Sequence, residues 1–291
     1  MGLSLTCGAG GTGNCCEPAE TVPEGTFLRG YDTATDDYND MSYPATVSAF
    51  VLDKYEVTVG RFRAFVEARQ GTQASPPGAG AGAHPKLAGS GWDSGWNTSL
   101  VADTSVLEAA VQCNATYQTW TDIPGTNENK PMNCVSWYEA MAFCIWDGGY
   151  LPTEAEWNYA ATGGREQRTY PWSNPADSTV IDCSYANYRP GAYCVNDLTG
   201  GVNRVGSESR GDGRWKHSDL AGNVWEWVLD WYVNPYPSPQ TCNDCANLNP
   251  PSKRVVRGGG FYDDATGLRA AYRRNSTDRD LNLGLRCART P

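Results

Sequence analysis

The sequence predicts a single loop-rich α+β domain in which a few helices pack against short strands. Gly (32) and Pro (18) are abundant among the 291 residues and charged residues make up 19%, a composition typical of short regular elements rather than helical bundles. Two capping boxes indicate helices in the middle of the chain, and turn residues with short β-rich runs dominate after residue 165. Eleven tryptophans and 40% hydrophobic residues are enough for a substantial core.

The first elements follow from local patterns. Residues 1–25 are typical of an extended, cysteine-containing tail. Alternation of apolar and polar residues predicts strands at residues 27–28 and 43–52. Thr58 is a good N-cap for a helix over residues 59–68, whose apolar side chains fall on one face.

Residues 70–130 have less regular patterning. Gly, Ala, Pro and Ser dominate residues 70–91, which predicts a flexible surface segment. Residues 92–130 carry tryptophans without helical periodicity, and we expect an ordered loop region packed by these rings.

The capping boxes give the clearest local signals. In Ser136-Trp-Tyr-Glu139 and in Thr153-Glu-Ala-Glu156, the hydroxyl caps a free helical amide and the glutamate bonds back to the first residue. They predict helices over residues 137–146 and 154–162, and we expect both helices to be scaffold.

The net charge of the chain excludes some classes of binding partner. The net charge is -10 and the pI is about 4.7. An acidic surface repels phosphates, so binding to nucleic acid or to anionic membranes is not expected. No stretch of about 18 apolar residues is present, so no transmembrane span is predicted.

The eleven cysteines indicate an oxidising compartment and disulfides, and hence a secreted or cell-surface protein. An odd number leaves one thiol free, bonded outside the chain or capped by a lipid. Leu5 and Thr6 before Cys7 resemble the end of a bacterial lipoprotein signal, although the apolar region that normally precedes that signal is missing.

Four motifs in order carry a family resemblance: Leu151-Pro-Thr-Glu-Ala-Glu-Trp157, Asp219-Leu-Ala-Gly-Asn-Val-Trp-Glu-Trp227, Arg257-Gly-Gly-Gly-Phe-Tyr-Asp-Asp-Ala-Thr-Gly-Leu-Arg269 and Leu283-Gly-Leu-Arg-Cys287. Together they resemble the formylglycine-generating enzyme (sulfatase-modifying factor) family, a variant of the C-type-lectin architecture. The resemblance implies one such domain over residues 26–291, with an insertion at about 70–130.

In that family, two cysteines five residues apart bind copper and oxidise a sulfatase cysteine. The matching positions here are Asp263 and Leu268. Copper(I) requires soft thiolates, so no copper is expected. A related branch holds iron with three histidines, and this chain has two. A relay of His217 with Ser218 and Asp219 is disfavoured because no Gly-x-Ser-x-Gly elbow is present.

The second motif offers oxygen ligands for calcium: the side chains of Asp219 and Glu226 and the carbonyls of Gly222 and Val224. Calcium takes six to eight oxygens, often from carboxylates and backbone carbonyls of a flexible loop. The resemblance implies the same, since the matching family positions bind calcium. The alternative is that these carboxylates bond to backbone amides in a tight turn.

The resemblance also implies a second calcium site, at Asn187 and Tyr188 with Asp197 and Thr199. Asn196 is an alternative to Asp197, and a solvated polar loop is an alternative to the site.

The resemblance implies a disulfide between Cys144 and Cys287, worth on the order of 4 kcal/mol in the chain-entropy model. The family's other disulfide positions correspond to Ala161 and Arg273. Spacing suggests Cys183–Cys194 and, more weakly, Cys113–Cys134 and Cys242–Cys245, but connectivity does not follow from spacing alone.

The third motif and the residues after it have the composition of a recognition surface, with tyrosine and arginine as anchors. The candidate binding residues are Phe261, Tyr262, Asp263, Asp264, Arg269, Tyr272, Arg273, Arg274 and Asn275. This stretch also resembles the ligand-facing segment of lectin-fold variable proteins made by diversity-generating retroelements. We expect Arg257 and Arg286 to be structural, pairing with carboxylates.

Three functions follow as hypotheses. The first is a calcium-stabilised binding or structural module outside the cell, with a peptide, glycan or protein ligand. The second is a diverged enzyme of the same family that modifies a peptide or sulfatase. The third is a surface-assembly subunit in which the unpaired cysteine or a sheet edge links protomers.

Overall fold

The computed structural model describes residues 7–16, 18–194, 201–236, 242–250 and 252–291. Helices α1 to α4 are Val59–Glu67, Thr104–Ala110, Trp137–Trp146 and Glu154–Ala161. Strands β1 to β10 are Pro18–Val22, Gly25–Leu28, Pro44–Val47, Phe50–Asp53, Trp225–Trp231, Cys242–Asn243, Arg254–Arg257, Arg274–Ser276, Leu283–Gly284 and Ala288–Arg289. The predicted mixture of helices, short strands and long loops is confirmed.

The strands form three small sheets, with orders β8-β7-β5-β9, β1-β4-β10 and β2-β3-β6. Strand β5 is central in the first sheet and almost wholly buried. It pairs antiparallel with β7, where Glu226 lies opposite Arg257, and parallel with β9. The first calcium motif therefore comprises the loop before β5 and the first residues of this strand.

The capping predictions are confirmed. Ser136 and Glu139 form a capping box at α3, and Thr153 and Glu156 form one at α4. The Thr58 hydroxyl accepts from the Arg61 amide at the start of α1. Capping involves residues three positions apart, so these helix starts can be predicted without knowing the tertiary structure.

Aromatic rings from α1 and α3 build the larger core cluster. Phe62 and Phe65 each lie within 5.7 Å of the Phe143 ring, centroid to centroid. Trp225 and Trp227 of β5 are buried in the same cluster. A second cluster surrounds Trp157 of α4, so β5 lies between the helices and is held rigidly.

Three local predictions need correction. Residues 92–130, expected to form a loop region, contain helix α2, which Asp103 caps. The strand expected at 43–52 is divided into β3 and β4, because Ser48 turns the chain and donates from its amide and hydroxyl to Asp244, at 2.6 and 2.7 Å. Residues 70–91 are not a surface excursion along their whole length. His84 is buried, and its Nε2 lies 3.1 Å from the Glu156 carboxylate.

Five disulfides link ten of the eleven cysteines. The pairs are Cys7–Cys15, Cys113–Cys134, Cys144–Cys287, Cys183–Cys194 and Cys242–Cys245, so the four suggested pairs are confirmed. Cys16 is unpaired and exposed. Within the described ranges, no helix combines the length and apolar character that crossing a membrane requires.

Candidate functional site

The loop that precedes β5 is tightly turned. Asp219, Gly222 and Asn223 have φ values of 58°, 90° and 63°. A Cβ atom on Gly222 would lie 2.6 Å from the Asn187 carbonyl oxygen, so only glycine fits there. The Asn223 amide donates to that carbonyl at 2.8 Å. The loop therefore packs directly against Asn187 of the second predicted calcium site.

Glu56, just before α1, holds this loop from the other side. Its carboxylate accepts from the Asn223 Nδ2 at 2.7 Å and from the Val224 amide at 3.1 Å. Asp219 accepts from the Gly206 amide at 2.5 Å and is buried. Sequence reasoning missed Glu56 because it lies 167 residues from Asn223.

Glu226, the last predicted ligand of this motif, is fully buried and engaged by three donors. Arg286 donates to its two oxygens at 2.7 and 2.6 Å, and the Trp157 indole donates at 2.7 Å. Arg286 also donates to the carbonyls of Asp53, Lys54 and Ser218. The expectation that Arg286 is structural is therefore confirmed, and its partner is Glu226.

Glu208 completes what we call the carboxylate cluster: Glu56, Glu208, Asp219 and Glu226. Burial and the neighbouring Glu208 raise the pKa of Asp219 to about 8, and burial raises the pKa of Glu208 to about 7. Burial, with Asp219 and Glu226, also raises the pKa of Glu56. If all four carboxyls were ionised, their negative charge would exceed what Arg286 neutralises, and the raised pKa values reflect this.

One oxygen of this cluster is orphaned. Glu208 Oε1 accepts from Asn203 at 2.7 Å, whereas its buried Oε2 has no hydrogen-bond partner among the residues that the structure describes. A buried carboxylate oxygen without a partner suits a hard cation, which binds oxygen ligands and would displace the proton. The donor set at Asp219 and Glu208 thus fits calcium. No spacing rule would have identified Glu208.

The second predicted calcium site is described only in part. The Asn187 side chain donates to the Gly201 carbonyl at 2.9 Å and to Asn223 at 3.1 Å. The Tyr188 carbonyl accepts from the Cys194 amide at 3.1 Å. Asp197 and Thr199, with the alternative Asn196, lie outside the described residues.

Asp263, at the first of the two family cysteine positions, faces the interior. Its Oδ2 accepts from the Trp225 indole at 2.7 Å and from the Gly260 amide at 2.9 Å. Burial raises the pKa of this carboxyl. Leu268, at the second position, is fully buried in an apolar cluster. The neighbouring Asp264 is exposed and accepts from the Thr266 amide at 2.9 Å.

Trp225 and Arg274 line a small surface cavity, and Asp263 and Tyr272 contact Trp225 beside it. We call these four residues the groove. The Arg274 guanidinium lies 4.0 Å from the Asp263 carboxylate and 5.7 Å from the Trp225 ring centre. The Tyr272 ring centre lies 5.9 Å from that of Trp225. Three predicted binding residues are therefore brought together with a tryptophan that sequence reasoning assigned to the calcium motif.

Three tyrosines form a second surface feature, the tyrosine cluster: Tyr117, Tyr193 and Tyr262. The Tyr262 ring centre lies 5.3 Å from that of Tyr117 and 5.5 Å from that of Tyr193. Burial and hydrogen bonds to both neighbours raise the pKa of Tyr262. Tyr117 and Tyr193 belong to separate loops far apart in the chain, so no motif could have linked them to Tyr262.

Other predicted binding residues serve the scaffold. Phe261 is fully buried and packs against Tyr262, with 4.5 Å between the ring centres. Arg269 donates to Asp32 at 2.6 Å, and Arg273 donates to Glu154 at 2.7 Å. Arg257, expected to be structural, lies 3.2 Å from Glu154.

The structure also rules out the histidine relay. His217 is fully buried, and burial with the nearby Arg286 lowers its pKa to about 3. The Ser218 hydroxyl donates to Asp212 at 2.7 Å instead of to the imidazole. His217 therefore has neither the partner nor the proton affinity of a general base.

Comparison with known proteins places these features in a family. A family model described as a sulfatase-modifying factor enzyme 1-like domain matches residues 14–291. The formylglycine-generating enzyme of Thermomonospora curvata is 30% identical, over 93% of this chain and 92% of the relative. The inactive C-alpha-formylglycine-generating enzyme 2 of Mus musculus is 28% identical, over 98% of this chain and 90% of the relative.

Two solved structures share the fold. PvdO from Pseudomonas aeruginosa superposes with a TM-score of 0.62 at 20% identity, over 93% of each chain. Treponema denticola variable protein 1 superposes with a TM-score of 0.57 at 20% identity, over 94% of this chain and 95% of that one.

Proposed function

Since the chain belongs to the sulfatase-modifying factor (formylglycine-generating enzyme) family, we propose that it is an extracellular, calcium-stabilised member that binds a ligand in the groove instead of oxidising a cysteine. The proposal rests on the identity and the hydrogen bonds of Asp263. In place of a copper-binding thiol, this position holds a carboxylate that is bonded to Trp225 and to the Gly260 amide.

The thiol chemistry of the chain supports the same conclusion. Ten cysteines are bonded in pairs, and the unpaired Cys16 lines a different cavity, with Arg61 and Trp146. Leu268 belongs to the apolar core and offers no ligand atom. Copper(I) prefers two or more soft sulfur ligands, so the groove lacks the donors that it needs.

Five disulfides support an extracellular location, because a reducing cytosol disfavours them. We assign calcium to Asp219 and Glu208 with the carbonyls of Gly222 and Val224. The orphaned Glu208 oxygen supports this assignment. Bound calcium would fix the loop before β5 and hence the Trp225 side of the groove.

The ligand that suits the groove is a polypeptide segment. The cavity that Trp225 and Arg274 line has a volume of about 30 Å³, far below the roughly 300–1,000 Å³ of small-molecule sites. A ligand must therefore lie across the surface. Tyr272, Arg274 and the nearby Tyr262 provide the aromatic and guanidinium anchors that dominate protein-protein contacts.

The decisive experiment tests for oxidation directly. The protein is incubated with copper(I), oxygen and a Cys-x-Pro-x-Arg peptide, and aldehyde formation is followed by mass spectrometry. The Thermomonospora curvata relative is the positive control. We expect no aldehyde from this chain, and turnover by the wild-type protein would overturn the proposal.

Ligand binding is tested separately with a displayed peptide library, followed by affinity measurement on selected peptides. We expect Arg274→Ala to weaken binding about tenfold or more, as for an interface anchor. Arg210→Ala is the matched control, because this exposed guanidinium also lies on an aromatic ring, that of Tyr185. Equal affinities for both variants would exclude the groove.

Two further functions have specific support. The burial-raised pKa of Asp263 suits proton transfer, which is what a diverged enzyme would need. The exposed thiol of Cys16 suits a surface-assembly subunit linked by disulfides. Light scattering under non-reducing conditions tests the latter, and a strictly monomeric species, also for Cys16→Ser, would remove it.

A further inference from the structure

A cavity of about 330 Å³ lies apart from the oxidase positions and the carboxylate cluster. We call it the tyrosine–arginine cavity, after the lining residues Arg29, Tyr38, Tyr43, Tyr232, Tyr236 and Arg273. Its volume is at the lower end of the range for small-molecule sites, about 300–1,000 Å³, and therefore suits a ligand with a single ring.

The floor of this cavity carries positive charge. The Arg273 guanidinium lies 4.0 Å from the Tyr236 ring centre, and that of Arg29 lies 4.6 Å from it. Arg273 donates to Glu154 at 2.7 Å, but Glu154 also neutralises Arg257, at 3.2 Å. Glu154 thus serves two guanidiniums, and Glu154 and Asp230 both act on Arg29, the third guanidinium at this cavity.

Tyr236 supplies an independent sign of a missing ligand. The residue is 9% exposed, and its buried hydroxyl has no hydrogen-bond partner in the described part of the chain. A buried polar group that stays unpaired destabilises the folded protein. Gly30, with a φ of 63°, brings the backbone close to the Tyr236 ring, where a Cβ atom would lie 3.2 Å away.

The walls of the cavity are aromatic and its rim is acidic. Tyr43 packs against Tyr236, with 5.1 Å between ring centres, and together with Tyr232 it offers flat apolar faces. Asp37 and Asp40 stand exposed at the rim and offer acceptors. A ligand that matches all three zones has an acid group at one end, a ring with apolar C–H faces, and hydroxyl groups at the other end.

We propose that the tyrosine–arginine cavity binds the terminal ring of an acidic glycan, with its carboxylate beside Arg29 and the Tyr236 hydroxyl. The ring then packs against the tyrosine faces, and its hydroxyls donate to Asp37 and Asp40. Burial lowers the pKa of Arg29, so a bound carboxylate would also relieve the desolvation of this guanidinium. This site is separate from the peptide groove proposed above.

The test is an NMR titration of the isotope-labelled protein with glucuronic acid, glucose and glucose 6-sulfate. We expect glucuronic acid to bind at least about tenfold more tightly than glucose, because hydrogen bonds to a charged group contribute about 1.5–3 kcal/mol. Tighter binding of the sulfate than of the carboxylate would assign the site to sulfated sugars. Equal binding of glucose and both acids would overturn the proposal.

Three variants locate the binding. Tyr236→Phe removes one oxygen and should weaken glucuronic acid binding several-fold, and Arg29→Met should weaken it at least about tenfold. Tyr185→Phe is the matched control, because this tyrosine stacks on Trp172 outside the cavity lining, and it should leave binding unchanged. If Tyr236→Phe bound glucuronic acid as tightly as the wild type does, the proposal would be contradicted. The same holds if the wild-type protein preferred a free α-amino acid to the sugar. Tyr236→Phe keeps the test valid if Arg29→Met does not fold.

Discussion

The carboxylate cluster and the tyrosine–arginine cavity carry opposite imbalances of buried charge. In the first, the carboxylates of Glu226, Glu56 and Asp219 act on the Arg286 guanidinium, and Glu208 adds a fourth carboxylate beside Asp219. The pKa values of Asp219 and Glu208 rise to about 8 and 7. In the second, the three guanidiniums of Arg29, Arg257 and Arg273 lie near two carboxylates, those of Glu154 and Asp230. Each region also has a buried oxygen, on Glu208 and on Tyr236, that finds no hydrogen-bond partner among the described residues.

This contrast shows that the fold is electrostatically incomplete in two places and with two signs. Uncompensated buried charge is costly, so a folded protein retains it where a ligand of opposite charge compensates. A calcium ion would complete the carboxylate cluster, and an acid group would complete the cavity. Substitutions that remove the existing counter-charge should therefore change the free energy of unfolding most. Substitutions that remove only an unpaired atom should change it least.

The largest effect is expected for Arg286→Met. This change leaves Glu226 without its partner in a fully buried site and deprives three backbone carbonyls of a donor. We expect a loss of about 3–5 kcal/mol in the free energy of unfolding, measured by urea denaturation. The double variant Glu226→Met/Arg286→Met should be less destabilised, because it removes both charges. A loss below about 1 kcal/mol for the single variant would mean that the pair is not critical.

Calcium removal should have the next largest effect. At a calcium concentration 100 times the Kd, binding adds about 2.7 kcal/mol of stability, so chelation with EGTA should lower the Tm of the wild-type protein. In Asp219→Ala and Glu208→Gln, the Tm should respond little to EGTA. Asp264→Asn, at an exposed carboxylate, is the control and should respond like the wild type. A wild-type Tm that is insensitive to EGTA would contradict the calcium assignment.

The two regions also differ in what could be predicted from sequence. Capping boxes and the motif from Asp219 to Trp227 act over a few residues, so their helices and loop were predictable. Glu56 bonds to Asn223 across 167 residues, and Arg269 bonds to Asp32 across 237. Tyr236 and Glu208 belong to no motif. Such partners meet only through tertiary packing, which is why the tyrosine–arginine cavity was missed entirely.

A smaller, pH-dependent effect is expected at Asp230, beside Glu154. Burial and the Glu154 charge raise the pKa of Asp230 to about 7, although it accepts from the amides of Glu154 and Asn247 at 2.7 Å. Since the folded pKa exceeds the unfolded value of about 3.9, this group stabilises the fold below pH 4, and that contribution is lost as the pH rises to 7.

Asp230→Asn does not titrate, so the variant should gain stability relative to the wild type between pH 4 and pH 7. We expect a relative gain on the order of 2 kcal/mol, measured by urea denaturation at several pH values. A stability difference that stays constant over this range would show that Asp230 titrates normally in the folded protein.

The smallest effect is expected for Tyr236→Phe without a ligand. Its hydroxyl is buried and has no partner within the ranges that the structure describes, so its removal should leave stability unchanged or raise it by up to about 1 kcal/mol. Tyr170→Phe is the matched control, because that buried tyrosine donates to the Ala265 carbonyl at 2.9 Å and should lose about 1 kcal/mol. Urea denaturation of both variants makes the comparison. Equal losses would mean that the Tyr236 hydroxyl already has an acceptor, and the cavity would then have no unmet demand for an acidic ligand at that point.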